Sequence, residues 1–151
     1  MHVERESILP CAPEEAWGFL TDWGRQGDWM IDVGRIEIVS ANREGAGVRL
    51  RCPSKVFGLP AFTEEMEVTV WEPPRRLVLR HGDPVEGRGT WWLSSEPGGT
   101  RWRWAEDVRL ELSLVGEIAA RCYRLVMGWL MGRSMEAARR ALIAAGPRIA
   151  S

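Results

Sequence analysis

Histidine, lysine, tyrosine and cysteine are all scarce in this 151-residue chain, and each scarcity closes off a class of chemistry. The only histidines are His2 and His81, and the three cysteines, Cys11, Cys52 and Cys122, are widely separated, so neither a zinc-like Cys/His spacing nor a CxxC pair exists. No bound metal is expected. An odd, scattered set of thiols fits a reducing cytoplasm better than a disulfide-stapled domain. Lys55 is the sole lysine, arginine supplies every other cation, and the formal charge of −1 leaves no whole-chain field to gather nucleic acid. The opening Met-His-Val-Glu-Arg-Glu lacks the basic-then-apolar order of a signal peptide, and no run of about 18 apolar residues is present to span a bilayer. No serine stands in a G-x-S-x-G elbow. Gly45-Ala46-Gly47 and Gly98-Gly99-Thr100 open onto strand-like segments, so they read as turns rather than phosphate cradles, and no cofactor is expected.

What the chain does have is period-two alternation. Residues 2–9 alternate weakly until Pro10 and Pro13 break the pattern. Glu14-Glu15-Ala16-Trp17-Gly18-Phe19-Leu20 then reads as a short amphipathic helix with acids in its first turn, followed by a loop or second short helix over residues 21–30. Beyond Gly34, Ile36 and Ile38 flank Glu37. After a turn at Asn42-Arg43-Glu44-Gly45, Val48, Leu50 and Cys52 alternate with Arg49 and Arg51. Met66, Val68 and Val70 alternate with Glu65, Glu67 and Thr69, and a Pro73-Pro74 turn leads to Leu77-Val78-Leu79. The last pair, Gly89 to Leu93 and Trp102 to Leu112, is joined by Glu96-Pro97-Gly98-Gly99. Strands that follow one another directly favour an antiparallel meander.

From about Leu114 to Ala145 the chain has no proline and carries a wide apolar stripe of helical period. At about 100° per residue, Ala119, Tyr123, Val126, Met127, Leu130, Ser134, Ala137 and Ala141 share the side expected to face the sheet, with Glu117, Arg121 and Arg124 opposite. Gly128 and Gly132 are expected bending points.

Strand, two short helices, six strands and a long helix is an order that resembles the START-like, helix-grip superfamily, which includes polyketide cyclase/dehydrase and lipid-transport members. The resemblance is carried by Pro13-Glu14-Glu15-Ala16-Trp17, by Asp22 and Trp29, by Gly45-x-Gly47, and by Trp71-Glu72-Pro73-Pro74-Arg75-Arg76-Leu77. It implies an α+β helix-grip fold, with a curved antiparallel sheet of about seven strands around a long C-terminal helix. One domain over residues 1–146 and a tail over 147–151 are expected. The resemblance also implies a cavity between helix and sheet for a hydrophobic small molecule of lipid, polyketide-like or isoprenoid character.

Nine tryptophans stand against one tyrosine and three phenylalanines, so indoles must dominate whatever is buried. Trp17, Trp29 and Trp71 read as packing. Trp102 and Trp104 share a strand face with Glu106, and an inward carboxylate must be paired, hydrogen-bonded or protonated. The alternative for Glu106 is a strand-end position that reaches solvent, or a bond to a tryptophan N–H or a backbone group. His81 has the parity of Leu77 and Leu79 but sits at a strand end, where a solvated turn is equally natural. Tyr123, on the inner helix side, either orients a ligand carbonyl or caps the core. Glu106, His81 and Tyr123 are therefore the catalytic candidates. The ligand-lining candidates are Trp92, Trp102, Trp104, Met66 and Val68 from the sheet, with Tyr123, Met127, Leu130, Met131 and Ser134 from the helix.

Three functions compete. A carrier or sensor needs only the cavity and polar anchors. A polyketide aromatase/cyclase-like enzyme would add a group that moves a proton α to a carbonyl. A protein-interaction module without a ligand would instead use the sheet, or Arg133, Arg139, Arg140 and Arg148, against a protein or an anionic membrane; homodimerisation is left open.

Overall fold

A computed structural model describes residues 1–56, 58–83, 85–109 and 116–146, with backbone only for 56 and 116–120. β1 (His2–Leu9) runs into α1 (Pro13–Leu20), whose first turn suits a helix start: Pro13 lacks the N–H that would go unpaired there, and Glu14 and Glu15 face the positive end of the dipole. Thr21 closes α1 by sending both its N–H and its hydroxyl to the Trp17 carbonyl. A 3-10 turn over Trp23–Asp28 follows.

The remaining strands are β2 (Glu37–Ile38), β3 (Arg49–Val56), β4 (Leu59–Glu72), β5 (Arg76–His81), β6 (Glu86–Glu96) and β7 (Gly99–Arg109), and α2 spans Gly116–Ala145. All pairings are antiparallel, in the order β1-β7-β6-β5-β4-β3-β2. The first strand thus closes on the last, beyond the meander of the other six. The β6–β7 reversal requires glycine twice over, because Gly98 and Gly99 have φ of 94° and 142°. At Gly99 any Cβ would also collide with the Leu9 carbonyl on β1.

The sheet's inner face and α2 enclose the core. Val68, Leu50, Leu77, Leu93 and Trp102 come from the sheet, and Met131, Met135, Ala138 and Leu142 from the helix. Each such aliphatic side chain contributes about 1.5–3 kcal/mol by leaving water. The buried stripe of α2 is turned from the expected one. Gly128, Met131, Ser134, Met135, Ala138 and Leu142 are buried, whereas Val126 is 47% exposed and Ala141 is exposed. Small residues decide this, since Gly128, Ser134 and Ala138 let the helix backbone come close, and at Gly128 the Arg5 guanidinium occupies the space a side chain would take. Leu110–Leu112, Leu114, the tail at 147–151 with Arg148, and the Glu117 and Ala119 side chains lie outside the described residues.

Candidate functional site

The tryptophans divide into distinct groups. Trp17, Trp23 and Trp71 pack where α1 meets β4, with Trp17 and Trp71 edge to face at 5.0 Å. Trp29, Trp91, Trp102 and Trp104 form a second cluster on the inner face, in which Trp102 stacks on Trp104 at 5.7 Å and 9° while the other contacts are edge-on or tilted. Trp92 departs from its expected place. It pairs with Arg103, not with an inward residue, and lies on the outer face under that guanidinium at 4.2 Å. Trp91, paired with Trp104, takes the inward position.

At one end of the inner cluster lies a polar group that five separate segments build. Glu106 on β7 has inward parity, and Gly89 opposite it on β6 leaves room for its carboxylate: an added Cβ there would lie 2.7 Å from Glu106 Oε1. Trp104 Nε1 donates to Glu106 Oε1 at 2.6 Å. His81, the last residue of β5, sits between two acids. Its Nδ1 is 3.1 Å from Glu64 Oε2 and its Nε2 is 3.1 Å from Glu106 Oε2, so the imidazolium donates to both. Burial alone would depress the His81 pKa, but these two hydrogen bonds and charges outweigh it and raise the pKa to about 10.

Asp32 comes from the loop after the 3-10 turn. That loop is held by the Lys55 N–H to the Asp32 carbonyl at 2.7 Å and by a bridge between Val33 and Ser54. Burial pushes the Asp32 carboxyl above its ordinary range, and the Glu106 and Glu64 charges push it further, against its own amide's opposing hydrogen bond. Tyr123 on α2 is likewise raised, first by burial and then by Glu106, Glu64 and Asp32. The cluster therefore offers a proton-holding imidazolium, two carboxylates as acceptors, and a carboxyl and a phenol that resist ionisation. Such a set can hold the oxygen or nitrogen functions of a ligand, and it contains both partners for moving a proton.

Of the residues expected from the sequence, Glu106, His81 and Trp104 are in direct contact, Tyr123 lies within their electrostatic reach, and Trp102 stacks behind Trp104. Met66 and Val68 are buried on the sheet, Met131 is buried on α2, and Met127 and Leu130 are partly buried on the same helix. Ser134 accepts the Ile31 N–H at 3.2 Å, which ties the Asp32 loop to the helix. Sequence reading missed Glu64 and Asp32. Glu64 shares the parity of Met66 and Val68, so the argument that singles out Glu106 applies to it unchanged; Asp32 lies in a loop where no period exists to read.

An open concavity of about 1450 Å³ lies on the outer face instead, floored by Val78, Thr90 and Trp92 and edged by Arg76, Arg80 and Arg88. Of the polar cluster's described side chains, His81 reaches its rim, as does Met66 beside it. Its mixed, cross-paired charges, such as Arg80 with Glu67 and Arg88 with Asp107, are those of a solvated sheet face. Among the described residues no group of His, Cys, Asp and Glu is arranged to hold a metal ion, and no helix is long and apolar enough to cross a membrane.

A seven-stranded antiparallel sheet gripping a long C-terminal helix, with a polar cluster at the end of an aromatic interior, defines a START-like protein. Residues 1–145 match the family described as polyketide cyclase / dehydrase and lipid transport, and the chain belongs to it. No curated protein matches the chain in sequence. Among solved structures, it is similar to TTHA0849 from Thermus thermophilus, with TM-score 0.80, 22% identity, and coverage of 97% of this chain and 100% of that one. It is also similar to the di-domain ARO/CYC protein StfQ of the steffimycin biosynthetic pathway, with TM-score 0.77, 16% identity, and coverage of 97% and 52%. A third likeness is to the Aha1 dimer from Colwellia psychrerythraea, with TM-score 0.64, 15% identity, and coverage of 94% and 96%. At these identities the likenesses establish the fold alone.

Proposed function

We propose that the protein binds a hydrophobic, partly aromatic small molecule between the sheet and α2, with the molecule's polar end on Glu64, His81, Glu106 and Asp32. The observation that carries this reading is the charged cluster buried at the edge of an indole-walled interior. A structural ion pair needs one acid for one base, whereas here a single imidazolium is shared by two carboxylates with a third carboxyl and a phenol nearby. Burying so many ionisable groups is costly in stability, and a ligand's polar atoms would give that arrangement a use. Family membership supports an apolar ligand.

The cluster also favours a second reading, an enzyme of aromatase/cyclase type. Glu106 would accept a proton α to a ketone while His81, protonated at neutral pH, would donate to the developing enolate oxygen. Tryptophan fluorescence titrated with polycyclic aromatics, fatty acids, sterols and quinones, followed by mass spectrometry of each hit, separates the readings. Saturable quenching with the compound recovered unchanged supports a carrier, and a dehydrated or cyclised product supports the enzyme. Glu106→Gln should weaken binding or turnover about tenfold, the scale of one lost charge-assisted hydrogen bond, and Asp107→Asn on the outer face should change neither. Equal effects of the two substitutions would sink the assignment.

A further inference from the structure

The solvent-facing side of α2's described first half is apolar. Leu125 is 70% exposed, Trp129 57% and Val126 47%. At about 100° per residue they share, with exposed Cys122, the pole of the helix opposite buried Met131, Met135 and Ala138. An uncovered helix face ordinarily carries charge, but here both faces of one stretch are apolar. The charges that do occur are of one sign. Between positions 118 and 135 the sequence holds Arg121, Arg124 and Arg133 and no Asp or Glu, within a chain of net charge −1. All three arginines are exposed. Among the described residues Arg124 and Arg133 enter no ion pair, whereas Arg139 and Arg140 further along are each 3.9 Å from Glu136.

We propose that this face of α2 docks on an anionic lipid bilayer, with Leu125, Val126 and Trp129 entering the headgroup boundary and Arg121 and Arg133 on lipid phosphates. The composition is that of an interfacial helix: a tryptophan at the polar–apolar boundary, aliphatic side chains beside it, and arginines around them. A second copy of the chain fits less well. A two-fold interface sets a patch against itself, which would bring like-charged arginines together in a rim with no acid of its own. The docking does not depend on the interior holding a ligand.

The test is co-sedimentation of the full chain with large unilamellar vesicles of phosphatidylcholine, alone or mixed with phosphatidylglycerol. Binding to the mixed vesicles is expected to exceed binding to phosphatidylcholine by about tenfold or more and to weaken as salt rises. Leu125→Ser combined with Trp129→Ser should weaken it at least about tenfold, as should Arg121→Gln combined with Arg133→Gln. Thermal melts of both double variants should match the parent, because all four side chains are exposed. Quenching of the parent by bromine-labelled lipid should fall in Trp129→Leu. Failure of the parent chain to bind phosphatidylglycerol vesicles overturns the proposal whatever the variants do. So does vesicle binding that both double variants retain, or a dimer in sedimentation equilibrium that the Leu125/Trp129 pair abolishes while vesicle binding is absent.

Discussion

His81 holds a charge that its surroundings would remove if its two acids were elsewhere. Its folded pKa of about 10 lies above the ordinary 6.5, so it binds its proton more tightly folded than unfolded. The resulting stability is fully present below about pH 6.5 and is lost as pH rises toward 10. Asp32 is also raised, so its contribution declines in the same direction as pH climbs out of the ordinary carboxylate range. Urea denaturation should therefore give falling stability between pH 6.5 and 10, and His81→Gln should remove most of that slope. The same substitution leaves Glu64 and Glu106 without their shared cation and should cost about 3 kcal/mol at pH 7. An unchanged slope in the variant would mean that the imidazole is not protonated between its acids.

The neighbouring indoles supply a second comparison at this scale. Trp104 spends its N–H on Glu106, while the buried N–H groups of Trp29 and Trp102 have no partner among the described residues. Trp104→Phe removes a charge-assisted bond worth about 1.5–3 kcal/mol, but Trp102→Phe removes an orphan donor whose burial itself costs about 1–3 kcal/mol. Trp104→Phe is thus expected to be the more damaging by about 1–2 kcal/mol in the same denaturation assay, although Trp102 is the more deeply buried. Glu106 was legible from parity alone, and so was Glu64 once the pattern of Met66 and Val68 is extended by two residues. Asp32 was not, because a loop has no period and its position follows from long-range bonds to Lys55 and Ser134.

At the scale of elements, strands with strict alternation were readable and α2 only in part. The β6–β7 hairpin illustrates the strength, since its glycine turn and the inward set Trp102, Trp104 and Glu106 follow from sequence. It also illustrates the limit, because two adjacent tryptophans carry no parity signal, and only the register with β7 turns Trp91 inward and Trp92 outward. On α2 apolar side chains surround the first half, so the buried stripe is set by where small residues admit the sheet and not by where large ones lie. Met131→Ala should accordingly cost about 2–5 kcal/mol, the range for truncating a buried core side chain, while Val126→Ala should stay within about 0.5 kcal/mol. Equal losses at the two positions would restore the stripe expected from spacing.

For the molecule as a whole, the thiols provide a built-in measure of cooperative opening. Cys52 is a buried residue of β3, paired with Glu64 on β4, and burial, then the Glu64 and Asp32 charges, push its pKa to about 12; Cys11 is raised to about 11 by burial and Glu15. Cys122 is exposed on α2. Since the thiolate is the reactive form, one thiol should be modified rapidly by a disulfide reagent at neutral pH, with Cys52 reacting last and only as fast as the sheet opens. A ligand held by sheet and helix together stabilises only the closed molecule. At a free concentration about 100 times its dissociation constant it adds about 2.7 kcal/mol, which slows the Cys52 reaction about 100-fold without touching Cys122. A compound that quenches tryptophan fluorescence yet leaves the Cys52 rate unchanged is bound outside the core, on the outer face or the exposed side of α2. The two measurements together locate a ligand that fluorescence alone would only detect.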